Sequence, residues 1–203
     1  MQLRIMLVLI VIALFIPVVT SAPGGIGTSA NDGCLCHGGK DSNTQIEIQG
    51  LPDAFESDMK YNFSIEVISH TIPPDEGDEK GGFRLLITDG FIEFNTSEGL
   101  IQELDNGWTH TEAGNVVRIW NLSFTSPNDN ASHVDFTIYG NAVNGNQASS
   151  GDQWNSVKFR LPGVLYEGEL LSEEIDEFSP TNYAVGIVSL LVLTYILVTA
   201  FRD

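Results

Sequence analysis

Two thiols and an imidazole lie within four residues at Cys34-Leu35-Cys36-His37, with Gly33 before them and Gly38-Gly39 after. Thiolate sulfur and imidazole nitrogen are ligands for soft or borderline metals, so the set suits copper or zinc. The flanking glycines let the backbone wrap closely around a bound group. Three local ligands leave a coordination position open, and the remaining histidines are His70, His110 and His133. The pattern places His70 at the end of a strand, His110 in a loop after Trp108 and His133 at the start of a strand. The alternative is a Cys34–Cys36 disulfide or an inert pair, which an oxidising compartment permits. A looser set of oxygen ligands, Asn144, Asn146 and Asp152, marks a second candidate, for calcium. The chain has no nucleophile elbow, zinc-protease motif or glycine-rich phosphate loop, so no catalytic residues are assigned and no enzyme is expected.

The elements that must carry these residues begin and end in apolar runs. Met1-Gln2-Leu3-Arg4 opens a stretch without charge to Val19, followed by the small residues Thr20-Ser21-Ala22. That order of charge, apolar run and small residues predicts a secretory signal peptide over 1–22. At the other end, Tyr183 to Phe201 is uncharged, and Arg202 follows. A helix over 182–201 is long enough to span a bilayer, and the basic flank puts residues 202–203 in the cytoplasm. The membrane is therefore one partner, and the expected location is the cell surface, single-pass, with the large domain outside. Residues 167–181 are acidic and lose apolar alternation, which reads as a stalk.

The chain has 27 acidic and 9 basic residues among 203, a net charge of −18. Such a surface repels nucleic acid and stays soluble by self-repulsion. An extracellular protein or glycan is the expected kind of partner. Four Asn-x-Ser sequons, at Asn62, Asn95, Asn121 and Asn130, are glycosylation candidates on an exported domain. With only two cysteines, stability must come from buried sheet faces and not from a disulfide framework.

After a glycine-rich segment over 23–43, the chain turns to period two. Apolar residues alternate at Ile46 and Ile48; at Tyr61, Phe63, Ile65 and Val67; at Val134, Phe136 and Ile138; and at Val157, Phe159 and Leu161. Val116, Trp120, Leu122 and Phe124 share a phase, while Gly82–Thr88 and Phe91–Phe94 are more continuous. About seven strands, separated by Gly, Asn, Asp and Pro clusters, predict an all-β antiparallel sandwich over 44–166.

Several of these pieces resemble known families. Cys34-Leu35-Cys36-His37 is similar to the Cys-x-x-Cys-His haem-attachment motif of c-type cytochromes, one spacer residue shorter. That resemblance implies thioether bonds from Cys34 and Cys36 and iron ligation by His37, with a distant histidine opposite; the short spacing suits one thioether or none. The segment Gly27 to Gly39 also resembles the opening of Reeler-like, "choice-of-anchor" surface domains. Gly81-Gly82-Phe83, Trp108-Thr109-His110-Thr111, Trp120 to Pro127, and Asn141-Ala142-Val143-Asn144-Gly145 with Gly151-Asp152 follow in that family's order. The resemblance covers most of residues 24–161 and implies an exported Ig-like or Reeler-like sandwich tethered by its C-terminal region.

Overall fold

Alternation along the chain becomes two sheets. The computed structural model describes residues 23–34, 38–74, 79–146, 148, 150–170 and the helix 180–201, the last with side chains from 183 to 199. The predicted signal peptide, Cys36, His37 and most of the predicted stalk lie outside the described residues. The chain divides into two units, with the sheets inside Thr20–Glu174 and the helix in the other.

The strands are β1 (Gly39–Lys40), β2 (Thr44–Gln49), β3 (Lys60–Ser69), β4 (Gly81–Ile87), β5 (Phe91–Phe94), β6 (Ile101–Leu104), β7 (Gly107–His110), β8 (Ile119–Thr125), β9 (His133–Ala142) and β10 (Gln153–Pro162). One sheet has the order β1-β10-β9-β4-β7-β6 and the other β2-β3-β8-β5. Every pairing is antiparallel except β1 with β10. The seven expected strands are present; β1 and the β6–β7 hairpin are additional. That hairpin turns on Asp105 and Asn106, both at positive φ (48° and 55°), a two-residue turn whose twist matches the strands it joins. His110 therefore ends a strand, where a loop was expected. Val116 is no strand residue but closes the 3-10 turn Ala113–Val116, which is fixed by a bond from Trp120 Nε1 to the Gly114 carbonyl (2.9 Å).

The core lies between the sheets. Phe136 of β9 meets Phe124 of β8 edge-on at 5.2 Å and stacks on Phe159 of β10 at 4.9 Å. Phe83 of β4 packs on Trp120 of β8 at 4.8 Å. Phe83, Trp120, Phe124, Phe136, Ile65, Leu85 and Ile138 are essentially sealed from solvent. Each such side chain contributes about 2–3 kcal/mol by leaving water, so the sheets hold without a disulfide framework.

The C-terminal apolar run forms a helix, α1 (Pro180–Phe201). Among the described residues no helix is long and apolar enough to cross a membrane. The side chains described in α1 number 17, from 183 to 199, short of the predicted 182–201 span.

Candidate functional site

The segment before β1 crosses the outer face of the six-stranded sheet as a strap. At the β6–β7 edge, Asn115 Nδ2 donates to the Pro23 carbonyl (3.3 Å), Ile26 N–H to Thr109 Oγ1 (3.3 Å) and Thr28 N–H to the Asp105 carboxylate (3.1 Å). Midway, buried Arg84 of β4 donates to Asn31 Oδ1 (3.2 Å) and to the carbonyls of Leu104 (2.5 Å) and Asp105 (2.9 Å). One guanidinium thus joins the strap to the β6–β7 turn. Burial pulls its pKa down, and the neighbouring Asp105 pulls it partly back. Tyr139 of β9 donates its hydroxyl to the Asn31 carbonyl.

The strap then dives at Gly33 and Cys34. Gly33 has φ of +118°, and a β-carbon there would meet Trp154 Cη2 at 2.5 Å, so only glycine fits. Cys34 is buried in a small cluster with Trp154, Tyr139 and Leu86. Gly38, at φ +62°, abuts the Asp152 carbonyl and leads into β1, where Lys40 lies over the Trp154 ring at 5.8 Å. Among the described residues the buried indole Nε1 of Trp154 has no hydrogen-bond partner. Sequence reasoning missed Trp154; the signal available was a lone tryptophan opening a strand.

His110 is buried where the β4–β7 ladder stops. Its last backbone pair is Arg84 with Thr109. At Phe83 the side chains take over: the N–H donates to His110 Nδ1 (3.3 Å), and the carbonyl accepts from Thr109 Oγ1 (2.7 Å). The imidazole is a wedge between strands, lying over Gly82 and beside Asn141. In sheet order β7 is three strands from β10, about 14 Å at ordinary strand spacing.

Of the other sequence candidates, His70 is exposed just after β3, with its N–H bonded to the Asn43 carbonyl (3.2 Å). It stands at the same end of the sandwich as Cys34, because Ser69 and Thr71 both bond Gln153, the register partner of Gly39. His133 is at the opposite end of β9, against Tyr166 and 3.8 Å from Asp135. In the β9–β10 loop, Asp152 Oδ1 accepts the Asn144 N–H (3.0 Å), Asn144 Oδ1 the Asn146 N–H (3.1 Å) and Asn146 Oδ1 the Ala148 N–H (2.8 Å). These three oxygens brace the loop. One end of the sandwich therefore gathers Cys34, His70, His110 and the Asn144–Asp152 loop. Among the described residues no group of three His, Cys, Asp or Glu is placed to hold a metal ion. Cys34 alone does not make a site for copper, zinc or haem.

The sequons sit elsewhere. Asn62, Asn95 and Asn121 line one open groove on the outer face of the four-stranded sheet, and Asn62 accepts from Ser123 Oγ at 2.7 Å. Asn130 is half-buried, with its carbonyl bonded to the Leu165 N–H (2.9 Å).

No protein-family model and no curated protein matches the chain. Among solved structures, the Reelin-N domain of F-spondin is 12% identical over 62% of this chain and 89% of its own, with a TM-score of 0.39. The human F-spondin reeler domain is 11% identical over 62% and 94%, at 0.38. A conjugative transposon lipoprotein from Bacteroides eggerthii is 10% identical over 60% and 98%, at 0.37. These are similarities of a β-sandwich and assign neither a family nor an activity.

Proposed function

We propose that the chain is a cell-surface binding and structural module: a signal peptide over 1–22 exports it, and α1 holds the sandwich outside a membrane. The observation that carries this reading is the surface of α1. Leu190, Leu191, Val192 and Leu193 are successive residues pointing in every direction around the helix, and each is at least 44% exposed. A helix apolar on all sides suits lipid. In the sequence the uncharged run Tyr183 to Phe201 is 19 residues, which as a helix rise about 28 Å, against a hydrocarbon layer of about 30 Å. The resemblance to Reeler-like surface domains agrees with this arrangement.

The test is fractionation of cells making the full chain. The chain is expected in the carbonate-resistant membrane fraction, with the sandwich cleaved by protease added to intact cells. A stop codon after Glu174 is expected to release the sandwich into the medium. Recovery of the full chain in the soluble fraction refutes the anchor.

A second reading, favoured by the indole N–H of Trp154 beside Cys34, which has no partner among the described residues, is a copper or zinc centre on Cys34, Cys36 and His37. A buried donor of this kind suits a thiolate or a bound group close by. His110 or His70 is the candidate further ligand, and haem is the less favoured occupant. Elemental analysis and an absorption spectrum of protein made with metal and haem supplied decide it. Stoichiometric metal lost in Cys34→Ser supports the centre, a Soret band surviving denaturation supports covalent haem, and a colourless, metal-free protein excludes both.

A further inference from the structure

The groove on the outer face of the four-stranded sheet differs from the acidic surface around it, which on the same face resumes one row beyond Gln49 and Ser64 with Glu47 opposite Glu66. Strand register sets Gln49, Ser64 and Asn121 in one row, and Asn62 with Ser123 in the next. These neutral amides and hydroxyls line the open groove described above. The groove's charged residues are Lys60 and Glu93, which pair at 2.7 Å and cancel. One row further along the same face, Phe91 pairs with Thr125 and is 73% exposed. A chain of net charge −18 thus keeps a neutral, hydrogen-bonding strip with a bare aromatic ring at its margin.

Each part of that strip has a counterpart in one ligand class. Amides and hydroxyls both donate and accept, as a ligand dense in hydroxyl groups requires. An exposed phenyl ring covers the apolar C–H face of a sugar ring. A strip without net charge neither repels nor selects an ion, while the surrounding acidic surface disfavours anionic polymers. The four strands span about 15 Å, enough for an extended chain of several sugars to lie across them.

We propose that this face binds a neutral oligosaccharide, running from Gln49 across Ser64 and Asn121 toward Phe91. Asn62 and Asn121 then serve as ligand contacts and not as glycan attachment points. The proposal rests on the reading of the chain as a surface binding module and names the face and ligand class it uses.

The test is calorimetric titration of the full chain in lipid nanodiscs, a medium free of sugar-headed detergent. The probes are cellohexaose, laminarihexaose and mannohexaose, with tri-galacturonate as the charged control. At least one neutral hexasaccharide is expected to bind with Kd below about 1 mM, and tri-galacturonate more weakly. Phe91→Ala and Asn121→Ala are each expected to weaken binding by about two- to tenfold, with melting temperature unchanged. His133→Ala, at the far end of the other sheet, is expected to leave it unchanged. No binding of any neutral probe at about 10 mM overturns the proposal. So does binding indifferent to both substitutions, or an intact mass showing a covalent glycan on Asn62 or Asn121. Incorporation of the chain into nanodiscs is read in the same samples, so failure of the face is distinguished from failure of the anchored-module reading.

Discussion

Gly82→Ala tests the histidine wedge directly. A β-carbon at Gly82 would stand 2.7 Å from His110 Nδ1 and 2.9 Å from Asn141 Oδ1, both well inside van der Waals contact. The imidazole cannot swing away at little cost, because it is buried and Nδ1 holds the Phe83 N–H. Overpacking of a rigid site costs about 1–3 kcal/mol, and loss of the Phe83 bond adds about 1 kcal/mol. The expected destabilisation is therefore about 3 kcal/mol, or roughly 10 °C in melting temperature for a domain of this size. His110→Ala alone orphans the Phe83 N–H and opens a cavity, with a cost of similar size. In the double variant the new methyl group enters the space the ring has left. Its destabilisation should fall short of the sum of the singles by at least about 1.5 kcal/mol. Urea unfolding followed by tryptophan fluorescence measures all four proteins. A Gly82→Ala protein within about 0.5 kcal/mol of the parent, or additive single effects, refutes the wedge.

Two further substitutions probe other parts of the frame. Arg118 donates to the carbonyls of Lys80 (2.7 Å), Ile72 (2.7 Å) and Val143 (3.3 Å), so Arg118→Met removes a donor from all three, of which Lys80 keeps the Val143 N–H (3.1 Å). A loss of about 3–5 kcal/mol is expected from the urea midpoint. Asp135 accepts two bonds from Arg160, at 2.7 and 2.9 Å, and that hydrogen bonding first, then its charge, holds the carboxyl below the usual range. A depressed folded-state pKa stabilises fully above the unfolded value of about 4, and the contribution is lost as pH falls through the folded-state value. Asp135→Asn should thus lower the melting temperature at pH 7, with the gap to the parent closing as pH drops below about 4. A gap that stays constant between pH 7 and about pH 2 argues against the pair.

Much of the sandwich was legible because burying one sheet face imposes period two on the strand. Ile65 and Val67, or Phe136 and Ile138, announce their strands without reference to anything distant. The β6–β7 hairpin escaped because Ile101-Gln102-Glu103-Leu104 is short and its Asp105-Asn106 turn lacks glycine at either central position. β1 has two residues and exists only through its pairing with β10. The strap was invisible for a similar reason. Its bonds join residues as far apart as Thr28 and Asp105, or Asn31 and Tyr139, separations of 77 and 108. Motif reading found Cys34 and His110, but their places depend on Trp154 and on Phe83, partners that no spacing rule connects to them. The Asn144–Asp152 set shows the converse: its oxygen-rich composition suggested cation ligands, and its geometry uses oxygens to hold backbone N–H groups.

The ten-residue register between β9 and β10 has a mechanical consequence if the sandwich is tethered as proposed. Beyond β10, Val164 N–H bonds the Phe55 carbonyl (3.0 Å), and Phe55 N–H bonds the Pro162 carbonyl (2.9 Å). Tension on the chain beyond Val164 passes into this junction and then into β10. Ten β9–β10 residue pairs, from Gln153–Ala142 to Pro162–His133, hold that strand to its neighbour, so a pull along its axis would load them in shear. The last strand of the sandwich is thereby spliced along its whole length to its neighbour, and the anchor proposed above would pull on that splice.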